Sequence, residues 1–479
     1  MTSRALVKEL QRVIGQDRVL SSPEDLLCYS YDASPTPNAL PQAVALPTST
    51  EEVSRLLELC YRLGVAAVPR GSGTGLSGAS VPPPEESVVV CLTGMSRILE
   101  IDAPNLSATV EPGVVTAVLH RAVEAQGLFY PPDPASASVC SIGGNVATGA
   151  GGLRALKYGV TRHYVLGLEM VLPQGEVMTT GAATVKNTTG YDLTRLMVGS
   201  EGTLGVFTRI ALHLIPLPPA KKTLLATFRT PAQAAATVSA IVAHRLLPAT
   251  LEFMDGTTIR CVEAHTHTGI PPAAEALLLI EADGTLEAAS QEAEQLAALC
   301  REQGAIEVQV AQTPQQAESL TLARRSVLPA LARAALPQGH PPQTGRPFLF
   351  LEDATVPPSR LVDMVEAVAE IGAKFGVLAG VMGHAGDGNL HPYFLAGSRD
   401  AEVVKRVERA VAEMVQVALS LGGTISGEHG IGVSKAAFLP HRVSPPEMRV
   451  MRLIKDGLDP RGLLNPGKLF PSTRNESAR

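Results

Sequence analysis

The chain has 479 residues, of which 45% are hydrophobic and 18% charged, a composition typical of a globular protein and not of a disordered one. Because domains usually have ~100 to 200 residues, a chain of this length is expected to form two or more folding units. The formal net charge of -6 argues against a nucleic-acid-binding protein, since neutralising phosphates requires a basic face.

Six cysteines lie far apart in the chain, and none forms a C-x-x-C pair: Cys28, Cys60, Cys91, Cys140, Cys261 and Cys300. This spacing indicates neither a disulfide framework nor a thiolate metal site, so we expect a reducing, cytoplasmic environment. No uninterrupted apolar run approaches the ~18 residues of a membrane span, so no transmembrane segment is expected. Peripheral contact with a membrane through a partner complex stays open.

Residues 43–70 predict a strand, a helix and a second strand. Ser49 and Glu52 form a capping-box pattern before the helix, and Gly64 follows its last apolar turn. Short apolar runs continue to residue 216, with one further helix predicted at VTAVLHRAVEAQG. The segment PLPPAKK, residues 216–222, breaks this pattern and is the best linker candidate.

Beyond the linker, longer helical and strand patterns alternate. The helical segments include PAQAAATVSAIVAHRL and EAASQEAEQLAALCREQG, and the strand segments include ATLEFMD and ALLLIEADG. The last helix of this series is predicted at residues 401–423. Such an alternation indicates an antiparallel sheet covered by helices, which is a second domain of α+β type.

A dinucleotide-binding fingerprint, GTGLSG at residues 73–78, fails the test of its context. A Rossmann site needs a helix that begins inside the glycines, so that its N-terminus faces the pyrophosphate. Here three consecutive prolines and another strand pattern follow, and prolines forbid a long helix. A nicotinamide dehydrogenase is therefore disfavoured.

Three glycine-rich loops occur within the first 216 residues, and we name them in chain order. The first glycine loop is PRGSGTGLSGAS (69–80), the second PPDPASASVCSIGGNVATGAGGLRALKYG (131–159) and the third VGSEGTLGVF (198–207). One such loop alone would be read as an ordinary surface turn. Three together predict the walls of one elongated ligand site, because glycine has an entropic cost that close backbone approach to a ligand would justify.

These loops, with VLGLEMVLPQGEV and TGYDLTRLMVGSEGTLGVFT, resemble the PCMH-type FAD-binding domain of the vanillyl-alcohol oxidase superfamily. GHAGDGNLHP, SGEHGIGVSK and NPGKLF narrow the resemblance to the glycolate oxidase flavin subunit, D-lactate dehydrogenase and D-2-hydroxyglutarate dehydrogenase group. The resemblance implies an α+β fold: a two-subdomain FAD-binding domain (1–216), a ferredoxin-like α+β substrate domain (217–440) and a C-terminal return segment (441–479) that packs on the FAD domain.

The resemblance also implies that the first loop holds the FAD pyrophosphate, while the second and third contact the ribityl and isoalloxazine parts. FAD is expected to be non-covalent, because no His or Cys in these loops stands out as an anchor. The expected cofactor-binding residues are Pro69, Arg70, Gly71, Ser72, Gly73, Thr74, Gly75, Leu76, Asp133, Ser138, Ser141, Ile142, Gly143, Gly144, Asn145, Gly151, Tyr158, Gly159, Glu201, Gly202, Gly205, Val206 and Asn465.

Two positions depart from the family pattern. Ala79 stands where a glycine is usual, and Gly149 begins GAGG where NAGG is usual. All the replacing residues are small, so the shape of the cleft is expected to survive. The loss of an Asn side chain at residue 149 removes one possible contact to the flavin.

His384 and His391 lie near the two ends of GHAGDGNLH, and SGEHGIG at residues 426–432 adds Glu428 and His429. An H-x6-H spacing alone is weak evidence for a metal, but two histidines and a carboxylate make a plausible divalent site with open positions. The resemblance assigns His384, His391 and Glu428 as ligands of a divalent metal, Zn, Mn or Fe, and His429 as the catalytic base. Asp387 and Asn389 are expected to orient ligands or cap turns.

The substrate carboxylate needs a cation with fork geometry. Arg324, Arg325 and Arg333 lie on one predicted helix, where a solvated basic face is the competing interpretation. By resemblance Arg324 is the substrate arginine. Leu351 stands where D-2-hydroxyglutarate dehydrogenases carry a lysine for a second carboxylate, which favours a small monocarboxylate.

The sequence thus predicts an FAD- and metal-dependent dehydrogenase that oxidises a small 2-hydroxy acid, glycolate or D-lactate, to the 2-oxo acid. The alternatives are a D-2-hydroxyglutarate dehydrogenase and a non-catalytic flavoprotein subunit of a larger complex. No cysteine cluster supplies an iron–sulfur relay. Electrons are therefore expected to leave through a quinone, a cytochrome, an electron-transfer flavoprotein or partner subunits such as an iron–sulfur protein.

Overall fold

A computed structural model of the chain describes residues 2–36, 39–84, 86–334 and 348–470. The helices of these residues, in chain order, are α1 Ser3–Ile14, α2 Pro23–Leu27, α3 Thr50–Leu63, α4 Thr116–Glu124, α5 Ile142–Thr148, α6 Ala155–Tyr158, α7 Leu193–Met197, α8 Pro231–Ala243, α9 Gly256–Thr266, α10 Leu286–Glu302, α11 Pro314–Arg325, α12 Val327–Ala334, α13 Leu361–Phe375, α14 Ala401–Ser420, α15 Leu439–Arg442 and α16 Pro445–Leu458.

The strands of the same residues, in chain order, are β1 Val19–Leu20, β2 Ala43–Ala45, β3 Ala66–Arg70, β4 Ser87–Cys91, β5 Ile98–Asp102, β6 Ser107–Val110, β7 Leu128–Phe129, β8 Val165–Val171, β9 Val177–Gly181, β10 Val206–His213, β11 Ile215–Pro216, β12 Ala220–Phe228, β13 Thr250–Asp255, β14 Ala276–Gly284, β15 Glu307–Val310, β16 Phe348–Leu351, β17 Ala354–Thr355, β18 Leu378–His384 and β19 Asn389–Ala396.

The chain divides into two compact units, each made of separate segments. The first unit contains Met1–Gly151, Val160–Leu217 and Glu428–Arg479, and the second contains Gly152–Gly159 and Pro218–Gly427. The end of the second glycine loop therefore belongs to the second unit, while the C-terminal part of the chain returns to the first.

The first unit contains a small four-stranded sheet, a larger five-stranded sheet and the antiparallel pair of β7 with β11. The small sheet has the order β1-β2-β4-β3, in which β4 runs parallel to β2 and to β3, and the larger sheet has the order β5-β6-β10-β8-β9 with antiparallel neighbours. Helix α1 packs with α3 against the small sheet through Leu6 and Leu10, both of which are buried. A second cluster, which includes Leu119 and Ile210, forms the core beneath the larger sheet.

The strand, helix and strand predicted for residues 43–70 are present as β2, α3 and β3. The Ser49 hydroxyl caps α3 by accepting from the Glu52 N–H at 3.3 Å, and Gly64 ends the helix with φ of 74°. A capping box would have the Glu52 carboxylate accept from the Ser49 N–H. It accepts instead from the N–H of the preceding residue, Thr48, at 2.8 Å. After β3 the described residues of the first glycine loop contain no helix, which agrees with the failed Rossmann test.

The second unit is built on an antiparallel sheet of eight strands with the order β15-β12-β14-β13-β18-β19-β16, and β17 also pairs with β19. Strands β12, β13, β14 and β15 have the spatial order 4-1-3-2 of a ferredoxin-like βαββαβ motif, with α9 inserted between β13 and β14. The α+β architecture expected for this part of the chain is therefore confirmed. The hairpin β18–β19 extends the motif at the edge formed by β13.

None of the helices in the described parts of the chain has the length and hydropathy needed to cross a membrane.

Candidate active site

The three glycine loops touch one another within the first unit. A Cβ on Gly71 would collide with the Ser141 hydroxyl, which joins the first loop to the second. A Cβ on Gly149 would lie 3.7 Å from Gly199 Cα in the third loop, and one on Gly202 would lie 3.2 Å from the Pro69 ring in the first. The loops, far apart in sequence, therefore form one continuous surface of backbone.

The Arg70 side chain stabilises the conformation of the first loop. Its side chain is buried, and Nη1 donates to the carbonyl oxygen of Tyr31 at 2.8 Å. Gly73 has φ of 72°, and any Cβ there would collide with the Arg70 guanidinium. Arg70 thus shapes the loop, while Ser72 is exposed and Thr74, Gly75 and Leu76 are half-buried.

The second loop enters helix α5 through Ser141, whose hydroxyl accepts from the Gly144 N–H at 3.4 Å. A Cβ on Gly143 would lie 2.9 Å from the Pro112 carbonyl oxygen, so glycine is required for this packing. The Asn145 side chain is buried and donates to the Thr116 hydroxyl at 2.8 Å. This loop is therefore held by contacts within the unit.

Several expected cofactor residues have side chains that point into the protein core. Ile142 and Val206 are fully buried in the two hydrophobic clusters, so these residues could contact a ligand only through their backbone. Gly205 is packed against the Met170 side chain. Ser138 is exposed, and Asp133 is half-buried.

Tyr158 and Gly159 lie in the segment that belongs to the second unit. The Tyr158 hydroxyl donates to Asp283 Oδ2 at 2.8 Å, and the Lys157 ammonium forms an ion pair with the same carboxylate. Asp283 therefore anchors α6. Gly151, at the end of the first-unit part of the loop, would place a Cβ 2.6 Å from Glu428 Oε2.

Glu201 in the third loop has φ of 52°, and its buried carboxylate accepts from the N–H groups of Ile431 at 2.8 Å and Gly432 at 2.7 Å. Burial raises the pKa of this carboxyl to about 7, although the two N–H groups and the lysines 435 and 468 act to lower it. Asn465 donates to the carbonyl oxygens of Ala79 at 3.0 Å and Glu201 at 2.7 Å.

The residues around these loops fit a large polar ligand. Among the described residues of the first unit, the buried oxygens without a hydrogen-bond partner include Ser77 Oγ in the first glycine loop, Ser200 Oγ in the third, and Asn465 Oδ1. Buried polar atoms are nearly always satisfied, so such atoms beside a glycine-lined surface indicate positions for a ligand's polar groups. The fit to FAD rests on this combination of exposed backbone and unsatisfied oxygens.

His384 ends strand β18, and His391 lies in β19 of the same hairpin. Their rings are buried, lie perpendicular to each other and have Nε2 atoms 3.3 Å apart. Asp387 caps the turn by accepting from the Asn389 N–H at 3.1 Å, as the sequence predicted. A Cβ on Gly388 would collide with the Val356 carbonyl oxygen, so the turn depends on its glycine.

A buried carboxylate joins His384 to Arg324. Glu252 on β13 lies directly opposite His384 in the sheet, and its Oε1 is 2.5 Å from His384 Nδ1. Its Oε2 accepts from Arg324 Nε at 2.7 Å. Burial acts to raise the pKa of Glu252, but His384 and Arg324 outweigh it through charge and hydrogen bonds, so the pKa lies below its ordinary value.

Arg324 differs from its two neighbouring arginines. Its side chain is buried at the end of α11, whereas Arg325 and Arg333 are exposed. Arg325 ends α11 and Arg333 lies in α12, so the one helix predicted for the three arginines is two helices. Because Glu252 occupies Nε, the Nη groups remain as the donors that could receive a carboxylate fork. Nη1 lies 3.6 Å from the Met382 sulfur.

The donor set of His384, His391 and Glu428 fits a divalent cation. One ligand atom from each of the three residues lies within 4.8 Å of the others. Two imidazoles on a tetrahedral Zn²⁺, with bonds of about 2.0–2.1 Å, have nitrogens roughly 3.3 Å apart. The separation of the two Nε2 atoms matches this value.

The segment that carries Glu428 and His429 is held at both ends by carboxylates. On the N-terminal side, Asp353 accepts from the Gly427 N–H at 2.6 Å and the Ser426 hydroxyl at 3.2 Å. On the C-terminal side, Glu201 accepts the two N–H groups described above. His429 itself is half-buried.

The sequence analysis did not identify Glu252 or Asp353. The available signal was a charged residue inside an apolar segment: Glu252 interrupts TLEFM in β13, and Asp353 follows FLFLE. A buried charge must be paired, so each such residue points to a partner elsewhere in the fold.

Comparison with known proteins shows to which family the chain belongs. Residues 217–469 match the family described as FAD linked oxidases, C-terminal domain, and residues 41–181 match an FAD binding domain family. The chain is 47% identical to the glycolate oxidase subunit GlcD of Bacillus subtilis over 98% of this chain and 97% of the relative. It is 36% identical to a D-lactate dehydrogenase of Anaerostipes hadrus over 90% of both chains.

Among solved structures, p-cresol methylhydroxylase with substrate bound has a TM-score of 0.78 to this chain, with 18% sequence identity and coverage of 98% of this chain and 97% of that one. At this identity the likeness shows a shared PCMH-type fold. With the two family matches and the full-length relatives, it shows that the chain belongs to the FAD-linked oxidases and is an FAD-dependent oxidoreductase.

Proposed function

We propose that this flavoprotein oxidises a small 2-hydroxy acid, glycolate or D-lactate, to the corresponding 2-oxo acid with the help of a divalent cation. The proposal rests on one arrangement: a buried arginine that Glu252 holds through Nε, and a His–His–Glu donor set to which the same Glu252 is linked through His384. A 2-hydroxy acid carries the two functions that such an arrangement can receive, a carboxylate and an adjacent hydroxyl. The relatives named glycolate oxidase subunit and D-lactate dehydrogenase support the same substrate class.

In this proposal the residues of the chain divide the work. Arg324 binds the substrate carboxylate through its Nη groups, which fixes the position of the hydroxyl-bearing carbon. His429 accepts the hydroxyl proton on its ring nitrogen, and the hydride on the same carbon is lost as the carbonyl forms. The products are the 2-oxo acid, a proton on His429 and a hydride, which carries the two electrons of the oxidation.

His384, His391 and Glu428 would hold the cation, and the three glycine loops with Asn465 would hold FAD. When bound, the cation supplies Lewis acidity that lowers the hydroxyl pKa, and FAD supplies the acceptor for the hydride. The proposed cation is Zn, Mn or Fe.

A monocarboxylate is favoured over D-2-hydroxyglutarate. Leu351 is a buried residue of β16 and offers no positive charge to a second carboxylate. Electrons are proposed to leave to a quinone, a cytochrome, an electron-transfer flavoprotein or partner subunits. The word subunit in the names of the glycolate oxidase relatives supports assembly with other chains.

The substrate class is tested by anaerobic titration of the purified flavoprotein. Glycolate or D-lactate should bleach the flavin absorbance, and L-lactate and D-2-hydroxyglutarate should do so at least 10-fold more slowly. A protein that binds FAD but is bleached by none of these acids would be a non-catalytic flavoprotein, which is the alternative to this proposal.

The role of His429 is tested with His429→Asn. The variant should bind FAD and substrate normally, while the rate of flavin reduction falls by about 10²–10⁴-fold, the usual contribution of a general base. His244→Asn, at an exposed position after α8, is the matched control and should reduce at the wild-type rate. Retention of the wild-type rate by His429→Asn would remove this residue from the base role.

A further inference from the structure

Glu252 is almost completely buried, with a side chain 1% exposed. It touches both a residue proposed to bind substrate and a residue proposed to bind metal. Its two oxygens are used separately, Oε1 by His384 Nδ1 at 2.5 Å and Oε2 by Arg324 Nε at 2.7 Å. A carboxylate that served only to neutralise Arg324 would have no need to face the histidine.

The chemistry of the two contacts requires a carboxylate. Arg324 Nε can only donate, and an ionised Glu252 can only accept, so His384 Nδ1 must carry the hydrogen that points at Oε1. The lone pair of the ring is then on Nε2, the atom that faces His391 Nε2 at 3.3 Å. A glutamine would offer one acceptor oxygen to two donors, and its NH₂ group would face the other donor.

The position of Glu252 is fixed by the sheet and not by a flexible loop. Strand β13 pairs with β18 so that Glu252 and His384 are direct cross-strand partners, and β13 pairs with β14 on its other side. The two side chains therefore share one face of the sheet, at a separation set by strand pairing. Arg324 reaches the same carboxylate from α11.

We propose that Glu252 is a positioning residue that couples the two halves of the site: it holds His384 with Nε2 directed to the cation, and it holds Arg324 through Nε, so that the Nη groups can bind the substrate carboxylate. This inference rests on the proposed function and adds to it a residue that touches neither substrate nor cation. It requires that cation affinity depend on Glu252 even when no substrate is present.

The test is a cation titration without turnover. Full-length flavoprotein, stripped with chelator and dialysed, is titrated with Mn²⁺ or Zn²⁺ in a calorimeter. Wild type should bind one cation, and Glu252→Gln should bind it about 10- to 100-fold more weakly, the usual effect of removing the partner of a metal-binding histidine. Glu281→Gln, a buried carboxylate on the neighbouring strand β14 that bonds Thr223 and Thr250, is the matched control and should bind as wild type does.

A second variant separates orientation of His384 from general damage to the buried network. Arg324→Met removes the other partner of Glu252 and one positive charge but leaves the Glu252–His384 contact, so cation affinity should not weaken. If Glu252→Gln fails to fold, judged by its thermal melt, Glu252→Asp takes its place: it keeps the charge but is one methylene shorter, and its cation affinity should fall at least several-fold.

The possible outcomes distinguish failure of the proposed metal site from failure of the positioning role of Glu252. A wild-type protein that takes up no cation would overturn the metal part of the proposed function. A wild-type protein that binds one cation, with Glu252 variants that bind it equally well, would overturn the positioning role alone. Equal weakening by Glu252→Gln and Arg324→Met would also overturn it, because the effect would then belong to the network as a whole.

Discussion

Asn465 is a small residue that holds together several parts of the flavin-binding unit. It adopts a left-handed backbone conformation with φ of 46°, which asparagine tolerates better than most residues. Its amide donates to carbonyl oxygens of the first and third glycine loops, and its own Oδ1 is a buried acceptor without a partner. One side chain thus fixes two loops, and we propose that its Oδ1 accepts a hydrogen bond from FAD.

Asn465→Asp should weaken FAD binding by at least 10-fold. The aspartate keeps the size and the backbone preference but cannot donate, so two buried carbonyl oxygens lose a partner, at a cost of about 1–3 kcal/mol each. Fluorescence titration of apoprotein with FAD measures the effect. Asn105→Asp, at an exposed turn, should bind FAD as wild type does, and an unchanged affinity in Asn465→Asp would show that the two bonds do not shape the site.

Glu201 predicts a pH dependence of stability. Burial raises the pKa of its carboxyl from 4.5 to about 7 in the folded protein. The folded state therefore holds the proton of Glu201 more tightly than the unfolded chain does. Its protonation contributes to the free energy of unfolding, fully below pH ~4.5, and this contribution is lost as the pH rises through ~7. The loss amounts to about 3 kcal/mol, because a difference of one between the folded and unfolded pKa corresponds to about 1.36 kcal/mol.

Glu201→Gln, which does not titrate, provides the reference for that measurement. The free energy of unfolding of wild type minus that of the variant should decrease between pH 5 and pH 8 in urea titrations. A difference that stays constant across this range would mean that Glu201 titrates normally in the folded protein.

At the scale of elements, the segment 426–432 is held in place by hydrogen bonds to carboxylates outside it. It contains little regular structure, and carboxylates at its two ends, Asp353 and Glu201, accept its backbone N–H groups. Because Glu428 and His429 lie between the two anchors, their positions follow from these bonds.

Asp353→Ala should lower the rate of flavin reduction by about 10- to 100-fold while FAD content stays at the wild-type level. The reason is that catalysis requires the reacting groups at near-attack distances, and a displacement of about 1 Å can cost 10²-fold. Stopped-flow reduction with glycolate or D-lactate measures this rate. Asp363→Ala, at a partly exposed position of α13, is the control, and equal rates in the two variants would contradict an anchoring role for Asp353.

The sequence indicated local elements better than it indicated these anchors. The cap at Ser49, the Gly64 stop and the turn at Asp387 depend on residues within a few positions of one another, so their patterns are visible in the chain. Glu252 pairs with Arg324, which lies 72 positions further along the chain, and with His384, which lies 132 positions further along. Such a pairing depends on which strands become neighbours, and periodicity does not contain that information.

At the scale of the whole molecule, the first unit is completed by residues far along the chain. The Ala67 N–H donates to the Leu463 carbonyl oxygen at 2.9 Å, and the Asn465 N–H donates to the Ala67 carbonyl oxygen at 2.8 Å. Lys468 donates to the Val81 carbonyl oxygen at 2.7 Å. The C-terminal residues therefore belong structurally to the N-terminal sheet and the first glycine loop.

A chain ending at Gly462 should consequently retain less than about a tenth of the wild-type FAD per chain, because it lacks all three contacts and the Asn465 amide. A chain ending at Phe470 keeps them and should bind FAD fully. Flavin absorbance per chain after gel filtration measures both, and full FAD in the shorter chain would show that the cofactor site forms without residues 463–470.

The resemblance of the motifs predicted the family, the cofactor and the two α+β parts, and the comparisons and the fold confirm these. The individual site residues and the domain limits stay predictions, since side-chain contacts to a ligand are set by the ligand as well as by the chain. The three glycine loops illustrate the difference: their glycines were visible as a group, but the orientation of Ile142 and Val206 into the core was not.

The central claim, that a cation held by His384, His391 and Glu428 is needed for oxidation of a 2-hydroxy acid, is tested by one anaerobic measurement. The rate of flavin bleaching by glycolate or D-lactate is recorded before chelation, after chelation, and after return of Mn²⁺ or Zn²⁺. Chelation should slow flavin bleaching by at least 10²-fold while FAD stays bound, and return of the cation should restore the rate. Bleaching at an unchanged rate in the metal-free protein would contradict the central claim.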